Sequence, residues 1–418
     1  EGILWLAINA KYSHTSLAVR YLRECVPGSE ILELTINHQL LAALGEIYER
    51  RPRVLGIACY IWNIEMVKDL LRLLPAALPD TIIVCGGPEV SYDTAAFFRE
   101  FPMVDFVVRG EGEEAVVQLI ERLRAVKLDK ARAAEVSRLG SLPGVAMRRE
   151  DGSIDESTAV TVADFSQVPF AYREAEMEPI KERILYYETS RGCPFSCAYC
   201  LSCATAGVRF LPLARVFGEL DFFVRHDVRQ VKFVDRTFNA KKSHFLPILQ
   251  YILALPQTVR TNFHFEVAID YLDEDVLETL AQMPRGRVQL EIGIQSTNEK
   301  TLQAVSRCNH WEQIAAHIRR ILSFHNMHLH VDLIIGLPGE GMDSFARSFN
   351  DVYELHADML QLGFLKFLKG ASMMQLVEPY RYAYMAMAPY EVLRSDALTY
   401  GEIRWFHSFE DVFETYYN

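Results

Sequence analysis

Two series of short, nearly unbroken apolar runs, each followed by an amphipathic stretch, set the strongest limit on what this chain can fold into. The first series is ILWLAI (Ile3 to Ile8), VLGIACY (Val54 to Tyr60), TIIVCGG (Thr81 to Gly87) and DFVVRGEGE (Asp105 to Glu113). Runs rich in Val, Ile and Leu without polar alternation suit strands buried on both faces, as in a parallel sheet covered by helices. Helical patterns such as SLAVRYLREC and IEMVKDLLRLLPAAL fill the gaps. Residues 1–125 are therefore expected to form a doubly wound α/β domain, with ligand at the carboxyl ends of its strands. The loops there are NAKYSHT, CYIWN, CGGPEVS and RGEGE.

The regular alternation then lapses. Residues 126–183 read as a linker, in which MRREDGSI carries a DG turn between two extended halves and EAEMEPIKER is charge-mixed. A second series follows at 184–190, 228–235, 262–269, 287–295, 328–337 and 359–367, each run separated by a helical pattern. Six βα steps over 184–370 predict a partial (β/α)6 barrel of TIM type, with active residues at the carboxyl ends of the strands. Residues 371–418 read as a helical extension, and the ending FETYYN, without a helix-stopping Gly or Pro, suggests a piece of a longer protein.

Charge and composition narrow the partners. The 43 Lys and Arg against 55 Asp and Glu give a net charge of −12, which argues against a broad phosphate-binding face and so against nucleic acid as the default partner. No run reaches the ~20 apolar residues of a membrane span. The opening segment lacks the basic and cleavable parts of a signal peptide, so a cytoplasmic protein is expected. Eight cysteines in 418 residues are too few and too clumped for a disulfide scaffold. Cys25, Cys59, Cys85 and Cys308 stand alone, and Cys59 and Cys85, at the ends of apolar runs, read as buried structural thiols.

The other four are grouped. RGCPFSCAYC, directly after the first run of the second series, places Cys193, Cys197 and Cys200 in a CxxxCxxC spacing, and Cys203 follows. One tetrahedral zinc could be closed by Cys203, but four thiolates within eleven residues would have to wrap the ion almost unaided. An iron–sulfur cubane takes thiolates from one loop and can leave one iron open. Elsewhere, Glu266 and Glu291 lie within apolar runs, where a buried carboxylate needs a partner such as Arg209, Arg307 or a ligand amine. Asp235 ends the run FVD, at a barrel-top position, as a candidate catalytic group or a helix cap.

The spacing of Cys193, Cys197 and Cys200, with Tyr199 before the last, resembles the radical S-adenosylmethionine (SAM) superfamily, and GGPEVS and RGEGE resemble the cobalamin-binding domain of the subgroup that pairs both cofactors. ETSRGCPFSCAYCLS, VKFVDRTFN, EIGIQSTNE, IIGLPGE and LQLGFLKFLKG are similar to a largely uncharacterised family within that subgroup. The resemblance implies a Rossmann- or flavodoxin-like cobalamin-binding domain followed by the radical SAM barrel. It also implies a [4Fe-4S] cluster on Cys193, Cys197 and Cys200, with SAM on the fourth iron, which leaves Cys203 as a bystander. Contacts to SAM would come from Tyr199, Arg209, Glu266, Glu291, Gln295 and Gly336, with Asp235 and Glu291 nearest the chemistry. Contacts to cobalamin would come from Tyr12, His14, Trp62, Asn63, Gly86, Gly87, Pro88, Glu89, Gly110 and Glu111.

The implied activity is methyl transfer from methylcobalamin to an unactivated carbon or phosphorus, after hydrogen abstraction by a 5′-deoxyadenosyl radical. Rearrangement or cyclisation with the same cofactors is the alternative, and a non-catalytic cobalamin or iron–sulfur sensor is the rival from another class. An external donor of flavodoxin or ferredoxin type would supply electrons to act on a substrate the sequence does not identify. The cobalt-ligating pattern DxHxxG is absent, so no protein imidazole is expected below the cobalt, His14 being the one residue that could overturn this.

Overall fold

The computed structural model describes residues 2–149, 151–204 and 207–418, with the side chains of Cys203 and Ala204 outside that description. The chain forms two compact units, residues 1–183 and 184–418.

In the first unit β1 (Ile3–Asn9), β2 (Glu30–Thr35), β3 (Val54–Ala58), β4 (Ile82–Gly86) and β5 (Phe106–Val108) form a parallel sheet. β6 (Val145–Arg148) and β7 (Ile154–Asp155) continue it antiparallel, giving the order β2-β1-β3-β4-β5-β6-β7. All seven residues of β1 are buried, which is why its run shows no alternation. β2 has no counterpart among the expected strands. As an edge strand of sequence EILELT with alternating burial, it carries the period of a half-exposed strand instead.

The stretch expected as a linker is part of this unit. Its hairpin is β6 and β7, whose Val145, Ala146 and Met147 are at most 1 % exposed. The charges of EAEMEPIKER are structural as well. Glu176 accepts an ion pair from Arg20 at 2.8 Å and from Arg23 at 2.6 Å, fastening the segment to the helix Leu17–Cys25. Buried guanidinium groups require such partners, so a mixed-charge stretch that looked solvated is held down by them.

The second unit holds β8 (Ile184–Tyr187), an antiparallel pair β9 (Ser190–Arg191) and β10 (Arg209–Phe210), then β11 (Gln230–Phe233), β12 (Asn262–Glu266), β13 (Val288–Gln295), β14 (His328–Ile335) and β15 (Met359–Phe364). Apart from β9 and β10 these strands are parallel and lie in sequential order, β8-β11-β12-β13-β14-β15. Right-handed crossovers that all step the same way put every helix on one face, the arrangement of a partial barrel. β13 shows the division. Val288, Leu290, Ile292 and Ile294 are at most 1 % exposed, while the intervening Gln289, Glu291, Gly293 and Gln295 are half-buried on the other face.

The expected helical extension contains strands too. β16 (Ala383–Tyr384) and β17 (Val392–Arg394) pair antiparallel, and Val392 N–H donates to the Leu365 carbonyl just past β15. The helix Tyr400–Tyr416 then starts at a capping box, Thr399 accepting from Glu402 N–H and Glu402 accepting from Thr399 N–H. No helix of the described residues is long and apolar enough to cross a membrane.

Candidate functional site

The three cysteines lie on a loop that leaves β8 and is pinched at its base by the pairing of β9 with β10. Arg209, expected at SAM, lies in that pairing opposite Arg191. Cys197 is buried, whereas Cys193 and Cys200 are half-buried. Backbone bonds fix the loop's middle, Ala198 N–H donating to the Val305 carbonyl at 2.9 Å and Met373 N–H to the Ala198 carbonyl at 2.8 Å. The Arg307 guanidinium lies 3.8 Å from the Cys197 sulfur and 3.2 Å from the Tyr199 hydroxyl, and it also donates to the Gly293 carbonyl. Burial pushes the Tyr199 phenol up, so it stays protonated and can donate.

Three thiols on one loop suit an iron–sulfur cubane, which takes its thiolates from such a loop and can leave one iron open. Cys203, the possible fourth thiol, lies outside the described side chains.

Asp235 does not have the placement expected of a group that touches a ligand. It is 0 % exposed and its carboxylate accepts from Thr189 N–H at 2.9 Å, Thr189 Oγ1 at 2.7 Å and Ser190 Oγ at 2.6 Å. Those bonds hold the backbone leading into the cysteine loop, because a buried carboxylate must be satisfied internally. Glu340 of the GLPGE turn is likewise buried, accepting from Ser296 Oγ at 2.6 Å and Ser348 Oγ at 3.1 Å. Gly336 takes a φ of 94° and its carbonyl accepts from the Tyr382 hydroxyl.

The inner face of the sheet brings Glu266 and Glu291 together as neighbours in register on β12 and β13. Around them stand Lys232, His264, His330 and Asp332, which the sequence reading missed. Lys232 Nζ meets Glu291 Oε2 at 2.8 Å, and His264 Nε2 lies 3.0 Å from the same oxygen. Although burial works against it, the combined pull of His264 and Lys232 brings Glu291 down to about 2. Glu266 is pushed up to about 7 by burial and then by the Glu291 charge. The missed residues had a signal. VKF, FHFE and HLHVD each place polar groups at alternate positions of an apolar strand, so they share the unburied face. At the end of β13, Gln295 takes a φ of 72° and its buried Oε1 has no hydrogen-bond partner, as does Arg307 Nε.

A testable consequence concerns Glu266. Infrared difference spectra should show a protonated carboxyl that titrates near pH 7 and disappears in Glu266→Gln. Its folded value lies above the unfolded one, so the associated stability is complete below the ordinary carboxylate range and is lost as pH rises through about 7. A spectrum without such a band at pH 6 would contradict the placement.

In the first unit several expected contacts are consumed by the fold. Asn63 is 1 % exposed and binds the Ile8 and Ala58 carbonyls and Tyr60 N–H. A Cβ on Gly87, whose φ is 116°, would come within 2.4 Å of the Cys59 carbonyl oxygen, so this glycine admits the neighbouring loop and not a ligand. Gly86 has only ordinary contacts with Val108, and Pro88 and buried Glu89 start the short helix Pro88–Ser91. Gly110 faces the Val160 backbone in the same close way, and Glu111 accepts from Val162 N–H. The missed role is thus packing against residues 158–162.

Large apolar side chains stand exposed at the strand ends, among polar ones. Tyr12, Ile36, Trp62 and Tyr92 follow β1, β2, β3 and β4 and are 76, 41, 46 and 42 % exposed. Trp62 stacks on Tyr60 at 4.5 Å, and its indole N–H donates to the Ile8 carbonyl, so the ring is held. Exposed apolar side chains with a held indole among them suit a broad flat organic group. His14 lies between Tyr12 and β2, with its carbonyl accepting from Asn9 and Arg183.

Comparison with known proteins divides the chain the same way. Residues 3–120 match the B12 binding domain family, 187–352 the radical SAM superfamily and 378–418 a protein family of unknown function. The cobalamin-dependent radical SAM methyltransferase TokK of Streptomyces tokunonensis is 27 % identical over 75 % of this chain and 47 % of its own length. A 2-(S-pantetheinyl)-carbapenam-3-carboxylate methyltransferase of Streptantibioticus cattleyicolor is 27 % identical over 72 % of this chain and 45 % of its own. The chain therefore spans about half the length of these curated relatives. Among solved structures, the radical SAM methyltransferase TsrM of Kitasatospora setae, with cobalamin and a [4Fe-4S] cluster bound, superposes with a TM-score of 0.68 at 16 % identity, covering 92 % of this chain and 76 % of that one.

Proposed function

The chain is a member of the radical SAM superfamily that carries an N-terminal B12-binding domain, and on that premise we propose that it is a cobalamin-dependent methyltransferase acting on an unactivated carbon or phosphorus. The observation that carries this reading is the cysteine loop: three thiols at the carboxyl end of a barrel strand, pinned by backbone bonds. When bound, a [4Fe-4S] cluster supplies the electron that cleaves SAM and a corrinoid supplies the methyl group.

The protein's own residues have definable tasks. Cys193, Cys197 and Cys200 hold the cluster as thiolates, while Arg307 neutralises charge at the Cys197 sulfur and orients Tyr199. Gln295, with its buried oxygen lacking a partner, offers an acceptor to SAM, and Glu291 remains ionised to receive a cationic or hydroxyl group. Tyr12 and Trp62 would lie against the corrin, and His14 is not assigned as a cobalt ligand. Asp235 acts through the loop it positions. The electron donor in this reading is a flavodoxin or ferredoxin and the location is the cytoplasm.

Anaerobic reconstitution with iron, sulfide and hydroxocobalamin, followed by dithionite and SAM, tests the reading. A cobalamin-dependent methyltransferase of this kind would form 5′-deoxyadenosine and also S-adenosylhomocysteine. Formation of 5′-deoxyadenosine alone points to a cyclisation or rearrangement. Formation of neither leaves a sensor and ends the proposal.

A further inference from the structure

We infer that the second unit binds a phosphorylated organic molecule in a groove at the amino ends of β13, β14 and β15, the end of the barrel opposite the cysteine loop. The groove measures about 700 Å³ and lies among the turns that enter these strands. That volume is in the range of small-molecule sites. Arg285 precedes β13, and Arg319 belongs to the last turn of the helix Trp311–Leu322. His325 and His328 stand at the entry to β14, and His356 precedes β15. All five are exposed, and among the described residues none of their side chains makes a hydrogen bond or an ion pair.

The local structure does not use these groups. Basic side chains near helix carboxyl ends often meet the last carbonyls. Here those carbonyls have other partners. Asn326 Nδ2 donates to the Leu280, Ala281 and Met283 carbonyls, at and just past the end of the helix Glu274–Ala281, at 2.8, 3.3 and 3.0 Å. The N–H groups of Ser323, Phe324 and His325 bond the Arg319, Ile321 and Leu322 carbonyls. Nearby guanidinium groups show the contrast. Arg320 pairs with Glu274, and buried Arg287 donates to the Ile252, Pro256 and Val259 carbonyls. Asp358, the one carboxylate among the described lining residues, accepts from Leu329 N–H at 2.8 Å.

The donor set gives the class of ligand. Guanidinium forks match phosphate oxygens, and imidazole N–H groups add further donors. A chain of net charge −12 repels anions over most of its surface, so a concave cationic patch concentrates them at one place. Leu322, Met327 and Leu355 line the same groove and offer an apolar wall to the body of the ligand. Barrels place their chemistry at the carboxyl ends of the strands, so a molecule bound here has the position of an effector and not of a substrate. The inference does not depend on methyl transfer.

Phenyl phosphate is a suitable probe because it joins a phosphate to an apolar body. Added to the full chain loaded with its cofactors, it should protect Arg285 and Arg319, but not exposed Arg53, from modification by phenylglyoxal, read by peptide mass mapping. Calorimetry should show it binding more tightly than inorganic phosphate. The double variant Arg285→Gln with Arg319→Gln should bind it at least about tenfold more weakly while keeping its iron. Equal binding by the native and double-variant proteins, equal binding of the two probes, or modification of Arg285 and Arg319 at an unchanged rate would overturn the site. If the double variant loses its iron through misfolding, protection in the native protein decides alone, its presence supporting the site and its absence overturning it.

Discussion

Replacing Cys193, Cys197 or Cys200 singly by Ala should abolish the iron–sulfur chromophore and lower SAM cleavage by about a thousandfold or more, whereas Cys203→Ala should retain both. The effect is large because each thiolate would hold one iron, and the neighbouring side chains among the described residues are poor replacements. Thr237 Oγ1, 3.5 Å from the Cys193 sulfur, and Ser202, bonded to Cys200, are neutral hydroxyls and poor ligands for iron. Iron and sulfide content, with 5′-deoxyadenosine as the second readout, checks the series. Retained iron in all three variants, or loss confined to Cys203→Ala, would remove the assignment. Stoichiometric zinc in the native protein would do the same.

Asp235→Ala should destabilise the protein by roughly 2–4 kcal/mol in urea unfolding, since it leaves the Thr189 N–H and two hydroxyl groups without their acceptor in a site closed to water. The loss should spread. Thr189 Oγ1 also contacts His244 Nε2 at 3.2 Å, and Ser190 opens β9, the base of the cysteine loop. Iron loading should therefore fall in the variant although no ligand has been removed. Unchanged stability combined with weakened SAM binding would instead restore the sequence-based expectation that this carboxylate touches a ligand.

Residues with one dominant environment were legible from the sequence. Strands buried on both faces appear as continuous apolar runs, as β1, β3, β4 and β5 do, and the six barrel strands, each with one buried apolar face, also fall in runs read from the chain. β2 was not legible because an edge strand alternates and carries Glu30 and Glu33, the latter held by Arg20 at 2.8 Å. The segment 126–183 was illegible for a related reason. Its charges resemble a solvated linker until their buried partners on the first helix are known.

The sequence by itself determined the two α/β units and the three-thiol loop, because hydrophobic period and cysteine spacing are local properties that no distant residue can change. Only the tertiary structure decided the use of the remaining polar and glycine residues. Asp235 lies at the barrel-top end of its strand but is spent on Thr189 and Ser190, forty-six and forty-five residues away. Gly87 and Gly110 precede helices, as ligand-binding glycines do, yet make room for the backbones of Cys59 and Val160. Conversely, Lys232, His264, Glu291, His330 and Asp332 come from four strands, and strand register alone gathers them on one face. Register is set by long-range pairing, so the charge each of these groups meets, and the proton it can hold, is not written near it in the chain.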